Sequence, residues 1–396
     1  MDIASRWVGG LTPRAAIEAL RNSDLMSAAR TTTTAGLDPQ EVWTDPRTDS
    51  VWRHDGPWWA PLSRRPYVGA AALAVTMVVL AVGVSLAYDL PLRDADGITG
   101  SRMWMLLGTL TAFFALDVVP RVVRRTWLGG GFGAVVVGVL RERWSRRRLA
   151  AVAISLLSFY ATYLAYRNLK SFLPFLVEQN QDRALIELDR SIFGGRDPAE
   201  LLHDVLGTGV AAHVLSAVYL FYLAFIPISL GAALILSSNP VPGMWWVTAL
   251  GINWTLGLAT YYLLPAMGPA FADPQILAGL PDTGVAALQE SLWSARTQVL
   301  RDPFSTGEVQ SIAAFASLHT SVVFSAALIA HMVRVPAVLR WSLWAFLGLV
   351  ILSTMYFGWH YLIDDVAGIA IGGIAVVGGA AVTGHLTALR EARQHA

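Results

Sequence analysis

The chain of 396 residues contains no cysteine. Disulfides, thiol nucleophiles and cysteine-ligated metals are therefore excluded. Charge is scarce too: 14% of residues are Asp, Glu, Lys or Arg, against 55% hydrophobic. Soluble domains carry roughly a quarter charged residues, so this composition cannot cover several globules with polar surface. The mean hydropathy of +0.50 points to a multi-span membrane protein. A net charge of +1 gives no field for nucleic acid, which is not expected as a partner. Lysine is almost missing: of 29 basic residues, 28 are arginine and the other is Lys170. Repeats and coiled-coil heptads are absent, and the first 66 residues do not read as a secretory leader.

What is present is a series of apolar runs. Eight are long enough to span with some tilt: roughly 67–89, 101–120, 150–175, 211–236, 244–264, 316–334, 338–358 and 360–385. The fold class expected is an all-α polytopic membrane bundle. Residues 1–66 read as a cytoplasmic N-terminal arm, with a short helix over Pro13–Arg21 and Trp58-Trp59 at the membrane interface. Residues 67–149 hold two spans and a basic cytoplasmic loop; 150–386 hold the remaining spans; 387–396 form a cytoplasmic tail. The short Gly-rich stretch 128–139 reads as a surface or re-entrant segment. Arginines cluster at 64–65, 121–148, 334–340 and 390–393. An even number of spans puts all four clusters on one side, the cytoplasmic one. Loops 176–210 and 265–315 then lie outside, and 283–300 reads as an amphipathic helix with Val285, Leu288 and Leu292 on one stripe, a lid resting on the membrane.

Ionisable groups in or beside spans are costly to bury and mark function. His360 and Asp364 are four apart on one helix face, where a carboxylate orients an imidazole for nucleophilic or general-base work. Asp365 points about 100° away on a helical wheel, which leaves Asp364 the better partner. His319 opens another span among Ser317, Thr320 and Ser321, a helix start suited to an anion. Arg167 and Lys170 share a face three residues apart, and a phosphate would offset their mutual repulsion. Gly268-Pro269 ends a span and holds the next loop over the outer mouth. Each group has a plainer use, in helix capping, snorkelling or chain reversal. Their convergence on one side of the membrane favours a single site.

These residues resemble the type 2 phosphatidic acid phosphatase superfamily over roughly 150–380. Its second motif, Pro-Ser-Gly-His, is matched by Ala316-Ser317-Leu318-His319, and its third, Ser-Arg-x5-His-x3-Asp, by Ser353-Thr354-x5-His360-x3-Asp364. Leu318, Thr354, the His360-Tyr361 start, Gly268-Pro269 and the segment Leu188–Gly195 are similar to the inositol phosphorylceramide synthase branch. The first motif, Lys-x6-Arg-Pro, is absent, because Val177 stands seven after Lys170. The resemblance implies a six-helix phosphatase-type core. It implies that His360 is a nucleophile forming a phospho-histidine, that Asp364 orients it and that His319 is the general acid and base. Arg167, Lys170, Ser317, Thr320 and Ser353 would hold the phosphoryl group, with Arg196, Arg296, Asp365 and Gly268 as further candidates. No metal and no cofactor enters this scheme. The lost cations suit a diester head group, which carries less charge. The reading is a metal-independent plasma-membrane phosphotransferase acting at the extracytoplasmic face, with both termini cytoplasmic. It moves a head group, such as inositol phosphate, from a phospholipid or isoprenoid-phosphate to a lipid hydroxyl. The alternatives are a lipid phosphate phosphatase of the same superfamily and a non-catalytic phospholipid-binding transporter or scaffold.

Overall fold

The computed structural model describes residues 65–94, 101–127 and 131–385. The N-terminal arm, its Pro13–Arg21 helix, the Trp58-Trp59 pair and the tail 387–396 lie outside these residues. Among those described the chain is all helix, in the order α1 (Val68–Tyr88), α2 (Ser101–Trp127), α3 (Phe132–Arg143), α4 (Arg146–Leu176), α5 (Asp182–Ile192), α6 (Pro198–Leu206), α7 (Val210–Gly231, prolonged by a π-turn Ala232–Leu236), α8 (Val241–Leu263), α9 (Pro269–Ala272), α10 (Gly284–Arg301), α11 (Leu318–Met332), α12 (Ala337–Tyr356) and α13 (Leu362–Thr383). A 3-10 turn, Pro274–Leu277, follows α9. Long helices are the expected form for apolar runs, because a bilayer offers backbone groups no water.

Among the described residues, six helices are both long and apolar enough to cross a membrane: α1, α2, α4, α7 with its π-turn, α12 and α13. The chain is therefore a polytopic helical bundle. The two other expected spans, 244–264 and 316–334, form helices of a different character. α8 has 23 residues, but Trp245, Trp246, Thr248, Asn253, Trp254 and Tyr261 dilute its apolarity, and most of it is buried by neighbouring helices. α11 has 15 residues, about 22 Å of helix at 1.5 Å per residue, less than a 30 Å hydrocarbon core. Both are interior helices: α8 packs on α4, α13, α11 and α1, and α11 packs on α13 and α12. The stretch expected to be re-entrant holds α3, which packs on α2.

The site depends on how closely α11 and α13 approach. Gly368 and Gly372 are one turn apart on α13. A Cβ on Gly368 would come within 2.5 Å of Ser317 O, and one on Gly372 within 2.8 Å of Ser321 O. Small residues at this spacing let two membrane helices touch backbone to backbone. On the cytoplasmic side expected from the arginines, buried Asp117 of α2 accepts from Arg143 Nε (3.1 Å), Trp144 Nε1 (3.1 Å) and Arg121 Nη1 (2.6 Å). Arg143 and Arg148 donate to the free carbonyls of Ile235 and Ser237 at the end of the π-turn. These bonds tie the inner ends of α2, α4 and α7 together.

Gly368→Leu should force α13 away from α11. We expect a loss of about 1–3 kcal/mol, the usual cost of overpacking, read as a lower thermal midpoint in detergent. A wild-type midpoint would show that the approach of the two helices is not tight.

Candidate functional site

Both histidines stand at helix starts. Ser317 caps α11, its Oγ accepting from Thr320 N at 3.3 Å, and His319 lies in the first turn. His360 lies in the turn between α12 and α13, and Asp364 is the third residue of α13. Asp364 Oδ2 accepts from Tyr361 N (3.0 Å) and lies 3.3 Å from His360 Nδ1. His360 Nε2 lies 3.0 Å from His319 Nδ1. A proton assigned to His360 Nδ1, toward Asp364, leaves its Nε2 as acceptor from His319. The result is a hydrogen-bonded chain Asp364–His360–His319.

The neighbouring carboxylate has another task. Asp365 Oδ1 accepts from the Thr320 hydroxyl at 2.5 Å, and Ser317 N donates to Asp364 O at 2.9 Å. Asp365 thus fastens α11 to α13 while Asp364 faces the imidazole.

His319 and His360 look into a cavity of about 250 Å³. Arg167 and Lys170 of α4 line the same cavity. Lys170 is buried, and among the described residues no carboxylate pairs with it. Its ammonium lies 4.6 Å from the Tyr261 ring centroid and 5.9 Å from that of Tyr166. A desolvated cation–π contact contributes about 2 kcal/mol, whereas burying an ammonium costs several. The rings offset only part of the cost, and an anion would supply the rest. His319 packs between Tyr219 (5.0 Å) and Tyr222 (4.6 Å), and Tyr219 stacks on Trp359 at 5.0 Å.

The other candidates fall in different places. Ser317 and Thr320 serve the cap and Asp365, as described. Ser353 is turned away, its hydroxyl donating to Leu215 O on α7 at 2.9 Å. Arg196 is exposed and paired with Asp204 at 2.5 Å. Arg296 lines an adjoining cavity of about 210 Å³ that shares Met267 and Ile312 with the first. Burial holds its guanidinium below the usual value, and the charge of Asp182 offsets part of that. Gly268 has φ +95°, and a Cβ there would collide with Trp359 O, so this turn is built against the strand of chain leading to His360. The amphipathic helix expected over 283–300 is α10. Its Leu288 and Leu292 line the cavity, and Gln289 donates to Phe357 O at 2.8 Å.

Sequence reading missed a clamp beside the site. Asp182 of α5 accepts from Met267 N, Gly268 N and the Tyr361 hydroxyl, each at 2.9 Å. Asp189, one helical face further along α5, accepts from Leu362 N at 3.2 Å. Two carboxylates thus hold the residues next to His360. Seven residues apart on an amphipathic helix was the only available signal. Among the described residues no three His, Cys, Asp or Glu side chains form a metal-ligand group.

Residues 183–378 match the model of the PAP2 superfamily. The match covers just under half of the chain and includes His319, His360 and Asp364, while α4 with its two cations precedes it. The match supports the type 2 phosphatidic acid phosphatase superfamily for this region, and with it a lipid enzyme of phosphatase or phosphotransferase type. No curated protein and no solved structure matches the chain.

Burial, helped by the charges of Asp364 and Asp197 and opposed by the Leu362 N–H, pushes the Asp189 carboxyl up to about 6. Folding therefore favours its protonated form, and the stability this adds is lost as pH rises through about 6. Asp189→Asn fixes a neutral group. The thermal midpoint of the wild type, relative to this variant, should rise as pH falls from about 7 to about 5. A difference that is flat over this range would contradict the assignment.

Proposed function

We propose that the protein is a membrane lipid phosphotransferase working through a phospho-histidine. The observation that carries this reading is the Asp364–His360–His319 chain facing a cavity with an unpaired, buried lysine. His360 Nε2 attacks phosphorus, the N–P bond forms and the ester P–O bond breaks. His319 gives its proton to the leaving oxygen. An acceptor hydroxyl then loses its proton to His319, its oxygen attacks phosphorus, and the N–P bond breaks to restore His360. Lys170 and Arg167 balance the charge on the phosphoryl oxygens. Asp364 keeps the Nδ1 proton in place and stabilises the positive imidazole that forms. Because His360 and His319 rest 3.0 Å apart, their rings must part to admit a phosphoryl group.

Transfer fits the lining better than hydrolysis does. Tyr, Trp, Leu, Ile and Met side chains dominate the cavity, which favours a lipid hydroxyl over water as the acceptor. The departures from the family's cationic motifs fit a diester donor, and a phospholipid with an inositol-type head group is the donor in this reading. The arginine-rich loops support a cell-membrane location with cytoplasmic termini and a site at the extracytoplasmic leaflet. The superfamily match itself favours a second reading, a lipid phosphate phosphatase.

The test uses purified protein in detergent, head-group-labelled phospholipids and isoprenoid phosphates, with and without a hydroxyl-bearing lipid, beside His360→Ala. We expect a labelled new lipid that requires the acceptor and falls by at least about 10³-fold in the variant. Acceptor-independent release of free phosphate would replace transfer with hydrolysis. Full activity in His360→Ala would overturn both readings.

A further inference from the structure

The cavity is also lined by α2, a helix that precedes the superfamily match. On three helices the lining runs over eight residues, seven steps apart, from Lys170 to Tyr163, from Tyr219 to Ile226 and from Tyr261 to Trp254. At 1.5 Å per residue each run covers about 10 Å of depth. Charge lies at one end, with Lys170, Arg167 and the histidines. Ile226, Leu223, Trp254 and Met105 form the apolar lining on the side of α2 and α7.

Met105 of α2 and Leu223 of α7 line the cavity and yet are 41% and 42% exposed on the outer surface of apolar spans. They lie at one level. Phe113, eight residues after Met105, packs where a Cβ of Gly231, eight after Leu223, would sit. Below that level α2 is fixed to α7 and its π-turn, and by Asp117 to Arg143 and Trp144. Around Met105, Trp104 and Leu107 are exposed, and of the six apolar spans found among the described residues α2 is the least covered by protein. The cavity therefore reaches the bilayer-facing surface between the outer halves of α2 and α7.

We propose that this opening holds the hydrocarbon chain of the lipid whose phosphate meets His360, with Met105 and Leu223 as its two lips and α2 as the wall that selects the chain. The occupant follows from continuity: the apolar cleft is the same cavity that ends at Lys170, and it leads into lipid. This rests on the phosphotransferase reading for the head group, while the chain site stands on its own geometry. α2 is this chain's own addition to the matched region.

Two photoreactive lipids test it, a phosphatidic acid and an isoprenyl phosphate, each with a diazirine at the end of its chain. The full-length protein is illuminated with each, and the labelled peptides are mapped. We expect label on peptides carrying Met105 and Leu223. Met105→Trp, and independently Leu223→Trp, should cut this label and long-chain turnover by about tenfold or more. Leu86→Trp, on the lipid face of α1, serves as control. Comparison of the two lipids shows which chain type the cleft takes. Label confined to peptides that do not line the cavity, or undiminished in both Trp variants, would overturn the proposal. Correct labelling without any turnover would instead sink the phosphotransferase reading and leave the chain site standing.

Discussion

The joint between the first turns of α11 and α13 is the constraint on which the site depends. His319 begins one helix and His360 immediately precedes the other, so their separation is set by how these two helix starts meet. Three features set it: the Thr320–Asp365 hydrogen bond, the Ser317 N–H on Asp364 O, and two glycines that let the backbones touch. Adjacent carboxylates divide the work, Asp365 holding the joint and Asp364 meeting the His360 imidazole. The outer elements reinforce this geometry. α5 grips Tyr361, Leu362 and Gly268, and α10 grips Phe357, so the chain on either side of His360 is fixed by side chains from distant sequence.

Charge gives the joint its chemical direction. In a bundle with so few charged residues, a buried lysine with no acid partner among the described residues is costly to hold in the cavity. The tyrosine faces around it supply part of the compensation, and a phosphoryl group supplies what they lack. The same aromatic and aliphatic walls that make an unpaired cation expensive also exclude water. On the phosphotransferase reading, one cavity serves both an anionic lipid and an acceptor other than water, and it runs from that charge toward α2.

Local chemistry was legible and long-range packing was not. The four-residue spacing of His360 and Asp364, the hydroxyl-rich start at His319 and the shared face of Arg167 and Lys170 are all properties of a single helix, which is why spacing alone could find them. The amphipathic stripe of α10 was visible for the same reason. Ser353 sits in the third motif by sequence, but its helical phase turns it onto α7, and Arg196 finds Asp204 instead of the cavity. The pairing of Asp182 with Tyr361 joins residues 179 apart, and no local pattern encodes it. The apolar runs of α8 and α11 read as ordinary spans, whereas tertiary packing makes them interior helices.

The central claim is that His360 becomes covalently phosphorylated. The most direct measurement is a short incubation of the wild type with a lipid labelled in its phosphoryl group, quenched in alkali before the acceptor is consumed, followed by mapping of the label. The account predicts an alkali-stable, acid-labile label on the peptide that carries His360. Turnover that proceeds with no protein-bound label, or with label on a residue other than His360, would contradict it.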